Sequence, residues 1–296
     1  MSRLIFAALG SIGLAGPCAA QQVPGRDLFQ FPLGLLAEPA ALSSQMTGGL
    51  WNPASAELAG TDRAAVGIAG LYSPQDQGVR LTMIGGAYRV RPSLTATASM
   101  ASAWVTDILR TETDPQSLGG EIPYGSTVLS AGLATGRHNV TLGVSARYRS
   151  GAADAERAGA FGVDAGAIVD RVAGTPVRVA ASTFLFSPTN TRDGPSYLVG
   201  ADVPVFTDST AAMRAGYGIT FNDSRGREEY AFSTGRYRQL DLSAGVARTV
   251  AFGNRDLRWR LGCGLRYASY TLAIGREDGA AGLGASYQFL FKRVIP

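Results

Sequence analysis

Lysine is almost absent from this chain: Lys292 is the only one among 27 basic residues, and the others are arginines. The arginines stand singly along 296 residues without forming a basic cluster, so the net charge of +4 does not indicate a nucleic-acid partner. Histidine is equally scarce, with His138 alone. Catalytic and metal sites built on histidine need partner side chains, and the sequence offers none near it, so we expect no enzyme, metal or cofactor.

Long apolar runs are also missing. The run from Leu4 to Ala15 is shorter than the roughly 20 residues that a membrane helix needs. It follows Arg3 and precedes Cys18-Ala19-Ala20, a small-x-small cleavage pattern, so we predict a signal peptide over residues 1–20. A lipoprotein interpretation of Cys18 is disfavoured by Pro17. The mature chain then keeps one cysteine, Cys263, which has no internal disulfide partner.

What the chain has instead is glycine, at 38 of 296 residues, and a period of two in its apolar residues. Residues 257–267 show this period best. Their apolar members, Trp259, Leu261, Cys263, Leu265 and Tyr267, alternate with Arg258, Arg260, Gly262, Gly264 and Arg266. Because successive side chains of a strand point to opposite faces, this segment has one apolar and one strongly polar face.

About fourteen such segments follow one another, within a range of twelve to fourteen, and most have the length of a tilted membrane strand. Short connections alternate with longer ones, among them 106–125 and 150–159. We predict an all-β fold, a single transmembrane antiparallel β-barrel over residues 63–296, in the outer membrane of a Gram-negative-type bacterium. The alternative, a soluble β-sandwich or propeller, would turn its apolar face inward; the many small apolar residues and the aromatic residues near strand ends count against it.

In a membrane barrel the polar face lines the lumen, because charges facing lipid cost about 2–4 kcal/mol at the midplane. The expected lumen-facing residues are Arg147, Arg149, Asp164, Asp170, Arg178, Asp202, Arg214, Asp241, Arg258, Arg260 and Arg266. They form either compensating charge pairs or a polar pathway or ligand site. The segment 78–91 changes phase near Ile84-Gly85-Gly86, which predicts a bulge or kink at Gly85 and Gly86.

Residues 21–62 do not alternate and are too apolar for a free tail, so we predict a small N-terminal plug that folds back into the barrel. The segment includes Leu50-Trp51-Asn52-Pro53-Ala54. Asn52 either caps local backbone, a structural role, or belongs to a gate; the structural role is favoured slightly.

The stretch Trp51, Asn52, Pro53 and Ala54 resembles the hatch motif of the FadL/PorV-like superfamily of outer-membrane barrels, and residues 267–273 and 282–291 are similar to its closing strands. The resemblance implies a fourteen-stranded plugged barrel. It implies passage of small hydrophobic molecules or, in the PorV/PorQ-like branch, a role with secreted proteins at the cell surface; a structural barrel without transport is the third alternative. The implied partners are outer-membrane lipid, a hydrophobic ligand and secreted proteins. The chain departs from the family in its short outer loops and in the residues after Phe291.

Overall fold

A computed structural model describes most of the chain from residue 23 onwards. The described residues are 23–29, 38–43, 49–59, 63–74, 78–106, 108–111, 118–188, 194–222, 226–251, 254–278 and 285–296. The predicted signal peptide, residues 1–20, lies outside these ranges, as does part of the predicted plug, 21–62. Within them, no helix has both the length and the apolar character needed to cross a membrane.

Fourteen antiparallel strands form a closed barrel, which confirms the predicted fold class. They are β1 Ala64–Tyr72, β2 Val79–Arg91, β3 Leu94–Val105, β6 Tyr124–Arg137, β7 Val140–Ala153, β8 Glu156–Val169, β9 Arg178–Phe184, β10 Ser196–Thr207, β11 Ala211–Phe221, β12 Arg227–Tyr237, β13 Leu240–Ala251, β14 Asn254–Tyr267, β15 Tyr270–Glu277 and β16 Ser286–Ile295. Each strand pairs with its neighbour in sequence, and β1 pairs with β16 from Ala64–Ile295 to Tyr72–Tyr287, which closes the ring.

Three short 3-10 helices and one small hairpin accompany the barrel. The helices are Arg26–Phe29, Pro53–Ala59 and Val172–Gly174. Strands β4 Leu109–Thr111 and β5 Leu118–Glu121 pair only with each other, in the connection between β3 and β6. The predicted long loop at 106–125 therefore contains a hairpin of its own.

The two ends of the barrel differ in their connections. At the end where Ala64 meets Ile295, called the terminal end below, His138, Arg238 and Ala268 each begin a two-residue turn with φ between 51° and 56°. Such left-handed residues match the twist of tight hairpins. In the β10–β11 turn, Asp208 Oδ1 accepts the Thr210 and Ala211 N–H groups at 2.6 and 2.9 Å, and these bonds lower the pKa of Asp208.

The opposite end, called the loop end below, carries the longer connections β3–β6, β9–β10 and β15–β16. Only two residues separate β7 from β8 and β13 from β14 at this end. The predicted loop at 150–159 is wrong, because β7 and β8 stay paired up to Ala153 and Glu156 and only Asp154 and Ala155 form the turn. Small residues such as Gly151 carry little periodic signal, yet their backbone groups continue the ladder.

The alternation predicted for 257–267 is confirmed in the direction of the side chains. Trp259 and Leu261 are 54% and 58% exposed on the outer face, whereas Arg258 and Arg260 are 4% exposed on the inner face. The free thiol of Cys263 is on the outer face as expected. A soluble sandwich would show the reverse.

The interior is less uniformly polar than the sequence suggests. Inward-facing Leu81, Met83, Val128, Ile168 and Leu198 are fully buried and belong to one apolar cluster inside the barrel. Part of the lumen is therefore lined by apolar side chains.

This apolar lining also explains why the bulge or kink predicted at Gly85 and Gly86 in β2 does not occur. No register shift occurs at Gly85 or Gly86, where the ladders to β1 and β3 are continuous; the irregularity lies between Arg89 and Arg91. The sequence changes phase because the first half of β2 turns its apolar residues inward and the second half outward. The phase of the apolar residues changes because the two halves of β2 have different surroundings. The backbone pairing continues unchanged, so the predicted bulge is wrong.

We expect Leu261→Arg, on the outer face at the middle of β14, to destabilise the barrel in phospholipid vesicles by about 2–4 kcal/mol, because an arginine would face hydrocarbon. Urea titration of folding measures the change. The control is Ser243→Arg, whose side chain faces the lumen across from Gly262. Equal losses in the two variants would contradict the assignment of the faces.

Candidate functional site in the barrel lumen

Three stretches that precede the barrel in sequence, 23–29, 38–43 and 49–59, lie inside it and are called the inner segments. The wall holds them through backbone carbonyls: Ser182 Oγ donates to Trp51 O at 3.0 Å, and Arg149 Nη1 donates to Val23 O at 3.0 Å. The Trp51 ring lies 4.5 Å from that of Phe184, between centroids. Trp51, Asn52, Pro53 and Ala54, the motif predicted for a plug, are all buried here.

Asn52 organises the third inner segment. Its Nδ2 donates to Ala41 O at 2.6 Å, its Oδ1 accepts the Ala54 N–H at 2.9 Å, and its carbonyl accepts the Ser55 hydroxyl at 2.8 Å. The side chain thus caps the start of the helix Pro53–Ala59 and ties it to the second inner segment. These bonds agree with the structural interpretation of Asn52.

The inner segments approach the wall at glycines. Gly143 and Gly166 face each other across β7 and β8, and a Cβ at either would overlap Asn52, Pro53 or Ala54. The same holds elsewhere, since a Cβ at Gly218 would overlap Pro39 and one at Gly151 would overlap Pro24. Each inner segment thus places one proline against a glycine of the wall. The sequence shows these glycines, but not what they contact.

A buried ion pair supports this contact. Arg147 pairs with Asp164 and donates to Leu50 O, and its guanidinium lies 4.7 Å from the centre of the Phe184 ring. Asp164 also accepts the Leu185 and Phe186 N–H groups at 3.2 and 3.0 Å. Both charged residues were predicted to face the lumen, and they link the wall to the inner segments.

A second buried cluster, the loop-end ion cluster, consists of Arg258, Arg260, Glu228 and Glu277. Arg260 Nε lies 2.8 Å from Glu277 and its Nη2 lies 3.3 Å from Glu228, while Arg258 pairs with both carboxylates. The Arg260 guanidinium also lies 4.7 Å from the Tyr230 ring centre. Two cations and two anions balance, so the cluster is neutral.

Sequence reasoning found the two arginines and missed both glutamates. Glu228 lies at the start of β12 and Glu277 is the last residue of β15, where the alternation of the sequence gives little signal. The available signal was the pair of arginines itself, because buried charges require partners of opposite sign.

At the terminal end, six charged residues form two similar triads. In the first, Asp202 on β10 is held by Arg178 and Arg214, with closest distances of 2.6 Å to each. In the second, Asp241 on β13 is held by Arg266, with Nε at 2.5 Å, and by Arg236 at 3.4 Å. Five of these six residues were predicted to face the lumen; Arg236 was placed in a turn.

These triads border a cavity of about 810 Å³ that opens at the terminal end. Its lining includes Arg214, Arg236, Asp241, Arg266, Lys292 and Glu38, the last from the second inner segment. Glu38 also reaches Arg178 at 3.3 Å.

Asp170 departs from its predicted place. Strand β8 ends at Val169, and Asp170 lies in the following bend, where its N–H donates to Asn139 O at 2.7 Å. It belongs to a turn and not to the lumen wall. Among the described side chains, no three of the His, Cys, Asp and Glu type stand together as a metal site.

Among the comparisons with known proteins, only the comparison of folds gives matches. No protein-family model matches the chain, and no curated protein matches it. Among solved structures, it is similar to the toluene transporter TbuX of Ralstonia pickettii, with a TM-score of 0.59 and 10% identity over 89% of this chain and 99% of that one.

Two other structures have lower scores. A bacterial polysaccharide outer-membrane secretin has a TM-score of 0.47 at 10% identity, over 80% of this chain and 100% of that one. A Rhodopseudomonas blastica porin mutant has 0.41 at 10% identity, over 78% and 98%. The likeness to TbuX supports the barrel fold.

We expect Gly143→Ala to displace the turn at Asn52 and Pro53, because the added methyl group has no room there. Hydrogen–deuterium exchange of residues 50–56 should become faster than in the unmodified protein. Gly235→Ala is the matched control, since nothing lies within 4 Å of a Cβ at that position. Unchanged exchange in Gly143→Ala would show that the inner segment does not depend on this contact.

Glu277→Gln should destabilise the barrel by about 3–5 kcal/mol, because it leaves a buried guanidinium charge in the loop-end ion cluster without compensation. Its neighbour offers the control: Asp278→Asn breaks an exposed pair with Arg276 and should change stability by less than about 1 kcal/mol. Urea titration of both variants compares the two losses. A small loss in Glu277→Gln would mean that the cluster tolerates an unpaired charge.

Proposed function

We propose that this chain is an outer-membrane β-barrel through which small hydrophobic molecules pass, with the inner segments acting as its plug. The observation that carries the proposal is the apolar cluster inside the barrel. The likeness to TbuX supports the fold on which the proposal rests.

The outer face fits a bilayer. Leucine, valine and aromatic side chains stand on it around the barrel, as at Leu257, Ile274 and Phe289. Such a continuous apolar surface is far larger than soluble monomers expose. A closed ring of strands also leaves no unpaired backbone edge in hydrocarbon. Both features favour a membrane location, and for bacteria such barrels belong to the outer membrane.

The inner face fits apolar cargo better than water. A water-filled pore has a polar lining. Here the apolar cluster extends from Leu71 and Leu81 near the loop end, past Met83, to Ile168 near the terminal end. An apolar molecule can exchange contacts with this lining at little cost, whereas an ion would lose its hydration there.

The inner segments stand across this route. Leu42, Leu50 and Trp51 are part of the apolar cluster and are buried within it. Passage therefore requires them to shift, which breaks the contact of Trp51 with Phe184 and the bonds of Arg147 and Arg149 to their carbonyls. The cavity at the terminal end would then receive the cargo.

A second candidate function is the attachment of secreted proteins at the cell surface, as in the PorV-like branch. The paired hairpin β4–β5 at the loop end favours it, because its backbone pairing lies outside the barrel ring, where a partner could meet it. This function needs no open route through the lumen.

Uptake of radiolabelled toluene by intact cells tests the first candidate. Cells that express the chain should take it up faster than cells with an empty vector, and Met83→Gln should reduce the gain several-fold, because it places an amide in the apolar lining. Thr82→Gln, the next residue on the outer face, is the matched control. Equal uptake with and without the chain would overturn passage, and secreted proteins retained through β4–β5 would then support the second candidate.

A further inference from the structure

The cavity at the terminal end has a charged wall that apolar cargo does not require. We propose that it binds a small divalent oxyanion, for which inorganic phosphate is the simplest representative. The site is formed by Arg214, Arg236 and Arg266 together with Lys292. Leu290 belongs both to the cavity lining and to the apolar cluster, but the four cationic side chains lie outside that cluster, so the proposal does not depend on the passage of hydrophobic molecules.

The two triads repeat one arrangement along the wall. Arg178 stands directly across from Asp202, and Arg236 directly across from Asp241. In each triad the second arginine, Arg214 or Arg266, approaches the carboxylate diagonally from the next strand. One carboxylate shared by two guanidinium groups leaves each triad with one positive charge.

The triads also have surplus hydrogen-bond donors. A guanidinium has five N–H groups, and two of them supply ten, whereas a carboxylate offers about four lone-pair sites. The arginine side chains that border the cavity remain accessible, at 34% for Arg214, 54% for Arg236 and 36% for Arg266. Planar guanidinium groups match the oxygens of phosphate and carboxylate in geometry.

The space between the triads suits an oxyanion. Arg214 faces Thr234 and Arg236 faces Ala212, so the two arginines are diagonal neighbours, about 7–8 Å apart between their backbones. Side chains from both positions can reach one anion. Four cationic side chains border the cavity against two carboxylates, Asp241 and Glu38, and this excess of two positive charges matches a divalent anion.

A bound oxyanion in this cavity would also affect the second inner segment. Glu38 shares Arg178 with Asp202 at 3.3 Å, and its carboxylate stands in the same cavity. A bound anion competes with Glu38 for the cationic wall and so weakens the hold on the second inner segment.

Isothermal titration calorimetry of the full chain in detergent tests the site, with inorganic phosphate as the probe at a pH where it is divalent. We expect binding that weakens as sodium chloride is added, because the attraction is screened. Arg236→Gln should weaken it about tenfold or more, because it removes a charged hydrogen bond to the anion. Asp241→Asn should strengthen it, because it removes the competing carboxylate.

The control is Arg276→Gln, which removes the same charge from an exposed pair outside the cavity and should leave phosphate binding unchanged. Heat-modifiability on gels shows that each variant remains folded. The proposal would be overturned if the unmodified chain did not bind phosphate. It would also be overturned if the Arg236→Gln variant bound phosphate as tightly as the unmodified chain. Tighter phosphate binding by Asp241→Asn could not result from unfolding, so this variant separates an effect on the site from a loss of structure.

The oxyanion can come free or as the end group of a small organic phosphate. Titration with glycerol phosphate in parallel distinguishes these sources: tighter binding of inorganic phosphate identifies the free anion, and tighter binding of glycerol phosphate identifies the organic form. Equal binding of chloride would overturn the assignment, because a spherical monovalent ion uses neither the paired charges nor the planar donors.

Discussion

The pairing of β1 with β16 is the constraint on which the rest of this structure depends. In hydrocarbon each unpaired backbone N–H or C=O group costs several kcal/mol, so a sheet is stable there only if it has no edge. The ladder from Ala64–Ile295 to Tyr72–Tyr287 removes both edges at once. Closure also creates an interior that is separate from lipid, and the remaining features concern how that interior is filled.

The interior is divided into two chemically different halves. On the side of β1–β3 and β6–β8 the wall carries apolar, glycine and small hydroxyl residues. The inner segments pack against it and are held by the Arg147–Asp164 pair and by Arg149. On the side of β12–β16 the wall carries the loop-end ion cluster above and the second triad below, with the cavity of about 810 Å³ between wall and inner segments. The inner segments therefore fill the first side of the interior, whereas the second side has an open cavity with charged residues in its wall.

The sequence predicts the barrel well because its outer face is under one physical requirement. Segment 257–267 shows this, since its apolar residues meet lipid and its arginines cannot. The inner face is under no single requirement, so its residues vary with what they contact. In β2 this variation looked like a bulge at Gly85 and Gly86, and the cause was the packing of Leu81 and Met83 against the lumen cluster.

The candidate site likewise has features that the sequence predicts and features that it does not. Most lumen-facing charges could be predicted, because period two identifies the face of a side chain once the strand is known. Their partners could not, since partners depend on register between strands: Glu228 and Glu277 come from two different strands to meet Arg260. Asp170 was misplaced because a strand boundary falls at Val169, and alternation does not specify where a strand ends.

The contacts of the inner segments have a consequence for the order of folding. Pro53 rests on Gly143 and Gly166, and Pro39 rests on Gly218, so each contact joins residues that are far apart along the chain. These surfaces do not exist until the hairpins of β7–β8 and β10–β11 have formed, and contacts of large sequence separation form slowly. The inner segments, which the ribosome makes before the barrel strands, are therefore among the last parts to reach their places.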